Sequence, residues 1–152
     1  MASKQRLYAL PKCIIGCDQK KYDKWLQRKA AAHVRRDGKR GRRHTVAEYK
    51  RAIHKAVLAG GHLDHYTGEP LDWSLISTFS NDEAKSGRSK YKKTLWLLPT
   101  VDHTFDADGK QTFVICSWKV NDAKGDLSHD EFCTLCELVL KHRAHQKATI
   151  RD

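Results

Sequence analysis

The sequence predicts an α+β fold, and three features carry that prediction. Apolar runs at residues 95–101 and 112–116 flank a polar turn containing Asp108-Gly109, a strand–turn–strand pattern. A short helical segment with Asn121 and Lys124 follows the second run. Apolar residues recur at three and four across residues 18–61 and again after Ser128, so helices flank the hairpin on both sides. The expected architecture is a hairpin-helix core with an N-terminal basic helical hairpin and a C-terminal packing helix.

Residues 1–17 carry little signal. Cys13 and Cys17 are four apart and read as small buried thiols, because a structural zinc site needs a second close pair and the other such pair, Cys133 and Cys136, is far along the chain. A first helix is expected over 18–36, capped by Asp18, with Tyr22, Trp25, Leu26, Ala30 and His33 along one face. Beside that apolar stripe, His33 reads as a packing or hydrogen-bonded histidine. Residues 37–44, Asp-Gly-Lys-Arg-Gly-Arg-Arg-His, read as a glycine-broken basic loop. Thr45-Val46-Ala47-Glu48 is a capping box, opening a second helix with Val46, Tyr49, Ile53, Ala56 and Val57 inward and Gly60-Gly61 at its end.

Beyond that hairpin, His62, Asp64 and His65 have a spacing compatible with metal ligation but read better as a loop with exposed histidines. Tyr66-Thr67-Gly68-Glu69 is a tight turn with glycine at the positive-φ position. Residues 72–77 should pack on the core, and 78–93 are polar and loop-like. Ser128-His129-Asp130-Glu131 is a second capping box, opening a helix that should turn Phe132, Leu135, Cys136, Val139 and Leu140 inward. The organisation expected is a basic arm over 1–61, a central unit over 62–142 and a polar tail over 143–152, within one compact domain.

Charge is the strongest global property. The 152 residues carry a net charge of +11, which favours a polyanionic partner. Residues 1–55 hold 17 Lys or Arg against 4 Asp or Glu, while the remainder holds 12 against 14. One half is therefore suited to gripping phosphate, through Arg35, Arg36, Lys39, Arg40, Arg42 and Arg43 above all. The other half holds most of the carboxylates. No stretch approaches the ~20 apolar residues needed to span a bilayer, and the N-terminus lacks the apolar core of a signal peptide. A cytoplasmic protein without a membrane partner is expected, its five cysteines thiols rather than bridges.

Phosphodiester hydrolysis needs an activated water, charge stabilisation at phosphorus and help for the leaving oxygen. A histidine can take the proton of the water, and a divalent ion held by hard oxygens can stabilise the charge. Asp102-His103 closes the first apolar run, at a strand end where both side chains can reach one site. Asn121 offers an amide oxygen as a second metal ligand.

Leu-Pro-Thr-Val-Asp-His, a turn, then Gln-Thr-Phe-Val-Ile-Cys-Ser-Trp-Lys-Val-Asn-Asp-Ala-Lys-Gly resembles the ββα-metal motif of HNH endonucleases. The resemblance covers about residues 66–126, with its specific part in 99–126. It implies His103 as general base, Asp102 and Asn121 as ligands of one Mg²⁺ (or Mn²⁺ or another divalent ion), and Lys124 as the trailing lysine. It also implies DNA cleavage to 5′-phosphate and 3′-hydroxyl ends, with RNA not excluded. Two positions depart from the family. Gln111 stands where a middle Asn orients the histidine, and Val120 stands where the second Cys of a zinc knuckle belongs, so Cys116 is alone and no structural zinc is expected. The C-terminal helix, through Phe132, Leu135 and Val139, is expected to brace the site instead. The competing reading is a non-catalytic nucleic-acid-binding module with a degenerate HNH fold. The oligomeric state, monomer or homodimer, is open.

Overall fold

The computed structural model describes residues 6–79, 81–105 and 108–149. It is a mixed α+β structure with two compact units, Met1–Asn121 and Asp122–Asp152. In chain order the elements are α1 (Gln19–Lys39), α2 (Val46–Gly60), a single 3₁₀ turn (Trp73–Leu75), α3 (Asn81–Thr94), β1 (Pro99–Phe105), β2 (Gln111–Ser117), α4 (Trp118–Lys124) and α5 (His129–Thr149). None of the described helices is long and apolar enough to cross a membrane.

The helical hairpin forms as its caps dictate. The Asp18 carboxylate accepts the Lys21 N–H at 2.8 Å. At the start of α2, Thr45 Oγ1 accepts the Glu48 N–H while Glu48 Oε2 accepts the Thr45 N–H at 2.7 Å. However, α1 continues to Lys39, three residues beyond the expected end. Asp37 is thereby a helical residue rather than the start of a loop.

The first unit has one core. Tyr22, Trp25 and Leu26 from α1, Ile53 and Val57 from α2, Trp73 and Ile76, and Val101, Phe113 and Ile115 from the strands are buried together. The Trp25 and Trp73 rings meet edge to face with centroids 4.9 Å apart. The two strands form an antiparallel hairpin in continuous register, with Asp102 opposite Val114 and His103 opposite Phe113. Val101, His103, Phe113 and Ile115 share one face by the two-residue alternation of strands. Phe113 touches Tyr49 of α2, centroids 4.9 Å apart, and His33 of α1, 5.2 Å apart.

Gly68 takes φ 72°, as the turn requires. The carboxylate of Asp64, expected in an exposed loop, is buried and organises the segment. Oδ1 accepts the Tyr66 N–H at 2.8 Å and the Thr67 N–H at 3.1 Å, and Oδ2 accepts the Ser117 N–H at 2.7 Å. Burial pushes the Asp64 carboxyl up, but these donors outweigh it and hold it below its ordinary value. The side chain ties the turn to the end of β2, just where α4 begins. Asp64→Ala leaves three amides without that acceptor and is expected to cost roughly 2–4 kcal/mol, read as a lower urea midpoint. A loss within about 0.5 kcal/mol, ordinary for a surface site, would refute this role.

Three expectations are corrected. Residues 81–94 are helical rather than loop, with Asp82 and Glu83 in the first turn and Lys92 and Lys93 in the last, where they complement the helix dipole. This helix has few apolar residues, so no 3.6-residue stripe marks it. In the second unit the Ser128–Glu131 capping box forms, but α5 does not bury its apolar stripe. Leu135, Val139 and Leu140 are 46%, 59% and 63% exposed, and Cys133 and Cys136 are exposed as well. The helix also extends through the expected polar tail to Thr149. Finally, Cys13 is exposed, and Cys17 packs against the core but is only half-buried.

Candidate active site

An α-helix brings every fourth residue close to one face. In α1 the row Trp25, Lys29, His33, Asp37 runs along β1. Trp25 Nε1 donates to the Pro99 carbonyl at 3.3 Å, and Lys29 Nζ donates to Thr100 Oγ1 at 2.8 Å. The His33 ring meets the His103 ring edge-on, centroids 4.6 Å apart. Asp37 Oδ2 lies 3.1 Å from His103 Nε2. The expected catalytic histidine is thus seated against α1, and Phe113 beside it packs on α1 and α2.

Both ring nitrogens of His103 are engaged, and the partners define the tautomer. Asp37 is ionised and can only accept, so Nε2 carries the proton. Arg36 can only donate, and its Nη2 lies 2.6 Å from Nδ1, so Nδ1 holds the lone pair. The same guanidinium nitrogen lies 3.0 Å from His33 Nδ1. Burial lowers the pKa of His103 below its ordinary value, with Arg36 acting in the same sense and Asp37 in opposition. His103 is therefore a neutral imidazole near neutral pH. Burial, with the positive neighbours Arg36 and Lys29, pushes His33 down to about 3, so it is neutral too.

Asp37 is the centre of this cluster. Its side chain is fully buried, and Oδ2 takes three donors: Tyr49 Oη at 2.5 Å, Gln111 Nε2 at 3.2 Å and His103 Nε2. Burial alone would raise its pKa. The Tyr49 hydrogen bond, the His103 charge and the Gln111 hydrogen bond overcome this and hold it at about 2. Among the described residues the other oxygen, Oδ1, is buried with no hydrogen-bond partner. Gln111 in turn accepts from Arg42 Nη1 through its Oε1. Gln111 therefore helps to hold the carboxylate on which His103 rests.

The remaining expected residues are placed as follows. Asp102 and His103 lie inside β1 rather than at its end, so regular alternation sends their side chains to opposite faces. Asp102 Oδ2 accepts the Tyr66 hydroxyl at 2.7 Å and Oδ1 accepts the His103 main-chain N–H at 2.8 Å. Asn121 lines a cavity of about 470 Å³ with Lys29, Thr100 and Trp118 among its walls, and Asp102 is not one of them. Among the described residues no three His, Cys, Asp or Glu side chains converge as metal ligands. Asp102 is 8% exposed, and both of its carboxylate oxygens accept hydrogen bonds. Lys124, the expected trailing lysine, is 7% exposed. Arg35, Arg36, Lys39, Arg40, Arg42 and Arg43 are all exposed, and two of them, Arg36 and Arg42, reach the His103 cluster directly.

No protein-family model, curated protein or solved structure matches the chain. Its own residues carry the functional reading. Sequence reasoning misses two members of the cluster. It places Asp37 in a loop because Gly38 and the arginines that follow look like a linker. Continuing the four-residue step 25, 29, 33 by one turn reaches it. Tyr49 reads as a core residue only, and its hydroxyl leaves no trace in the periodicity.

Proposed function

We propose that the chain is an HNH-type endonuclease that hydrolyses phosphodiester bonds of DNA, with His103 as general base. The observation that carries the proposal is the geometry of His103. A buried carboxylate fixes its Nε2–H, its pKa leaves it unprotonated, and its lone pair on Nδ1 faces the exposed arginine surface. A histidine serving only as core packing has no need of an ionised partner. The order hairpin, then short helix, in residues 99–124 supports the same reading.

In the proposed mechanism a strand phosphate enters along the arginines of α1 and of the segment after it. Arg36 exchanges a neutral imidazole lone pair for an anionic phosphate, the stronger acceptor, and so uncovers Nδ1. Nδ1 then takes a proton from a water. The water oxygen attacks phosphorus, and the 3′ oxygen leaves in line. Asp37 stabilises the imidazolium that forms and holds the ring through the step. The proposed cofactor is Mg²⁺ or Mn²⁺, which would supply charge stabilisation at phosphorus; it would enter with the substrate phosphate, since Asp102 leaves β1 on the face opposite His103.

One observation favours the binding-module reading: Arg36 covers Nδ1 at 2.6 Å. A single assay separates the two. Supercoiled plasmid is incubated with Mg²⁺ or Mn²⁺ and with EDTA. Metal-dependent nicking or linearisation is expected. A mobility shift with intact plasmid under every condition would replace the nuclease by the module. In either case affinity should fall linearly on a log–log plot against salt, since several phosphates are neutralised. Charge reversal at Arg35 and Arg40 should flatten that slope by about one for each phosphate no longer neutralised.

A further inference from the structure

The cavity holding Asn121 is a feature that this mechanism leaves unused. At about 470 Å³ it falls within the roughly 300–1,000 Å³ of small-molecule sites. Its composition is specific. Phe79 and Trp118 give aromatic wall, their rings edge to face with centroids 6.1 Å apart. Arg28 and Lys29 bring positive charge, and Thr100 and Asn121 bring neutral hydrogen-bonding groups. Phe79 is about half exposed and Trp118 partly so, so ring surface is open to a ligand. Lys29 is held in place by Thr100 Oγ1 at 2.8 Å, and burial lowers its ammonium to about 8. Ser77, which also borders the cavity, adopts φ 65°, a left-handed conformation costly for a residue with a β-carbon.

Aromatic surface, cations and an amide at one site match the chemistry of one nucleotide. A base stacks on an aromatic ring regardless of its identity, an asparagine amide can pair with a base edge as donor and acceptor together, and arginine and lysine take the phosphate. The cavity is also placed for a strand. Arg28, Ala32 and Arg36 follow one another at four-residue steps on α1, linking the cavity to His103. Eight residues at about 1.5 Å each span about 12 Å, which is three to four nucleotides at the stacked spacing of about 3.4 Å. The path between the two ends is lined by exposed Arg35 and Arg36.

We propose that this cavity is a nucleotide subsite, which takes an unstacked base of a bound strand on Phe79 and Trp118 and hydrogen-bonds it through Asn121. This rests on the nucleic-acid reading above but not on catalysis. Asn121 then recognises substrate rather than metal, in accord with its place in a cavity that Asp102 does not line.

The test uses the full chain in EDTA, so that cleavage plays no part. A labelled single-stranded oligonucleotide is titrated by fluorescence anisotropy, beside a strand of equal length and charge with abasic positions. The base-bearing strand should bind about 5- to 150-fold more tightly, the range of a stacked base. Asn121→Ala and Phe79→Ala, both at positions with exposed surface, should remove most of that difference while leaving abasic affinity within about twofold. Trp118→Leu should do the same where its thermal midpoint shows that it folds. Equal affinity for the two strands, or a difference that survives Asn121→Ala and Phe79→Ala, overturns the subsite and leaves the nuclease reading standing. Failure to bind either strand overturns both.

Discussion

Replacing His103 with alanine is expected to lower the rate of DNA cleavage by about 10²–10⁴-fold, the usual contribution of a general base, with affinity for DNA little changed. His33 also turns its Nδ1 to Arg36, but with its pKa pushed down to about 3 it is a far weaker base, and it is His103 whose other nitrogen rests on Asp37. The substitution also removes a donor from the buried Asp37 carboxylate, which keeps Tyr49 and Gln111. A stability loss of roughly 1–2 kcal/mol should accompany it, so rates are compared at a temperature where circular dichroism shows both proteins folded. His103→Gln is the sharper control. Its amide can still donate to Asp37, but it has no basic nitrogen. If His103→Gln is stable and inactive, lost cleavage cannot be ascribed to lost folding. A clean preparation of either variant that cuts plasmid within a few-fold of the parent would remove His103 from the chemistry.

The limits of the sequence reading have physical causes. Caps are local, so Asp18, Thr45–Glu48 and Ser128–Glu131 are legible and form as expected. The strands are legible because a two-residue alternation and an Asp-Gly turn are local as well. The burial of α5 is not legible, because an apolar stripe shows what a helix can bury and not whether a partner covers it. The site is legible in part for the same reason. Asp102-His103 announces itself as an acidic residue beside a histidine, and that adjacency is misleading: on a regular strand, neighbours point apart. The carboxylate that reaches the His103 ring is Asp37, sixty-six residues earlier in the chain. Helix spacing could suggest that Asp37 continues the buried face of α1, but its meeting with β1 depends on packing that only the folded chain contains. Gln111 shows the reverse. Its departure from the family pattern looks like decay in the sequence, and in the structure it is a working hydrogen bond to Asp37.

If Asp37 positions and electronically supports the base, Asp37→Asn should change the pH profile as well as the rate. Its charge opposes the burial that depresses the pKa of His103. Removing that charge lets the histidine pKa fall further. The acidic limb of the cleavage profile should therefore move to lower pH, while the plateau drops by about 10²-fold because a weaker base, less well oriented, takes the proton. A purely structural role would lower activity or stability without moving the limb, and an unmoved limb would reduce Asp37 to packing. Stability gives an independent reading of the same charge. The carboxyl is held at about 2 in the folded chain against a reference value of 3.8. Between these values the unfolded chain binds more protons, so stability rises with pH there. Ionised Asp37 thus contributes fully above about pH 4, and the contribution, roughly 2 kcal/mol, is lost as pH falls towards 2. The Asn variant should lack that part of the acid transition. Tyr49→Phe should act in between: it keeps the charge but removes the 2.5 Å donor, so the Asp37 pKa rises, its contribution shrinks and its acid loss is complete at a higher pH, while the cleavage limb stays near that of the parent. Together, the two substitutions separate the charge on Asp37, which acts on the histidine, from the hydrogen bonds that keep this charge in a buried place.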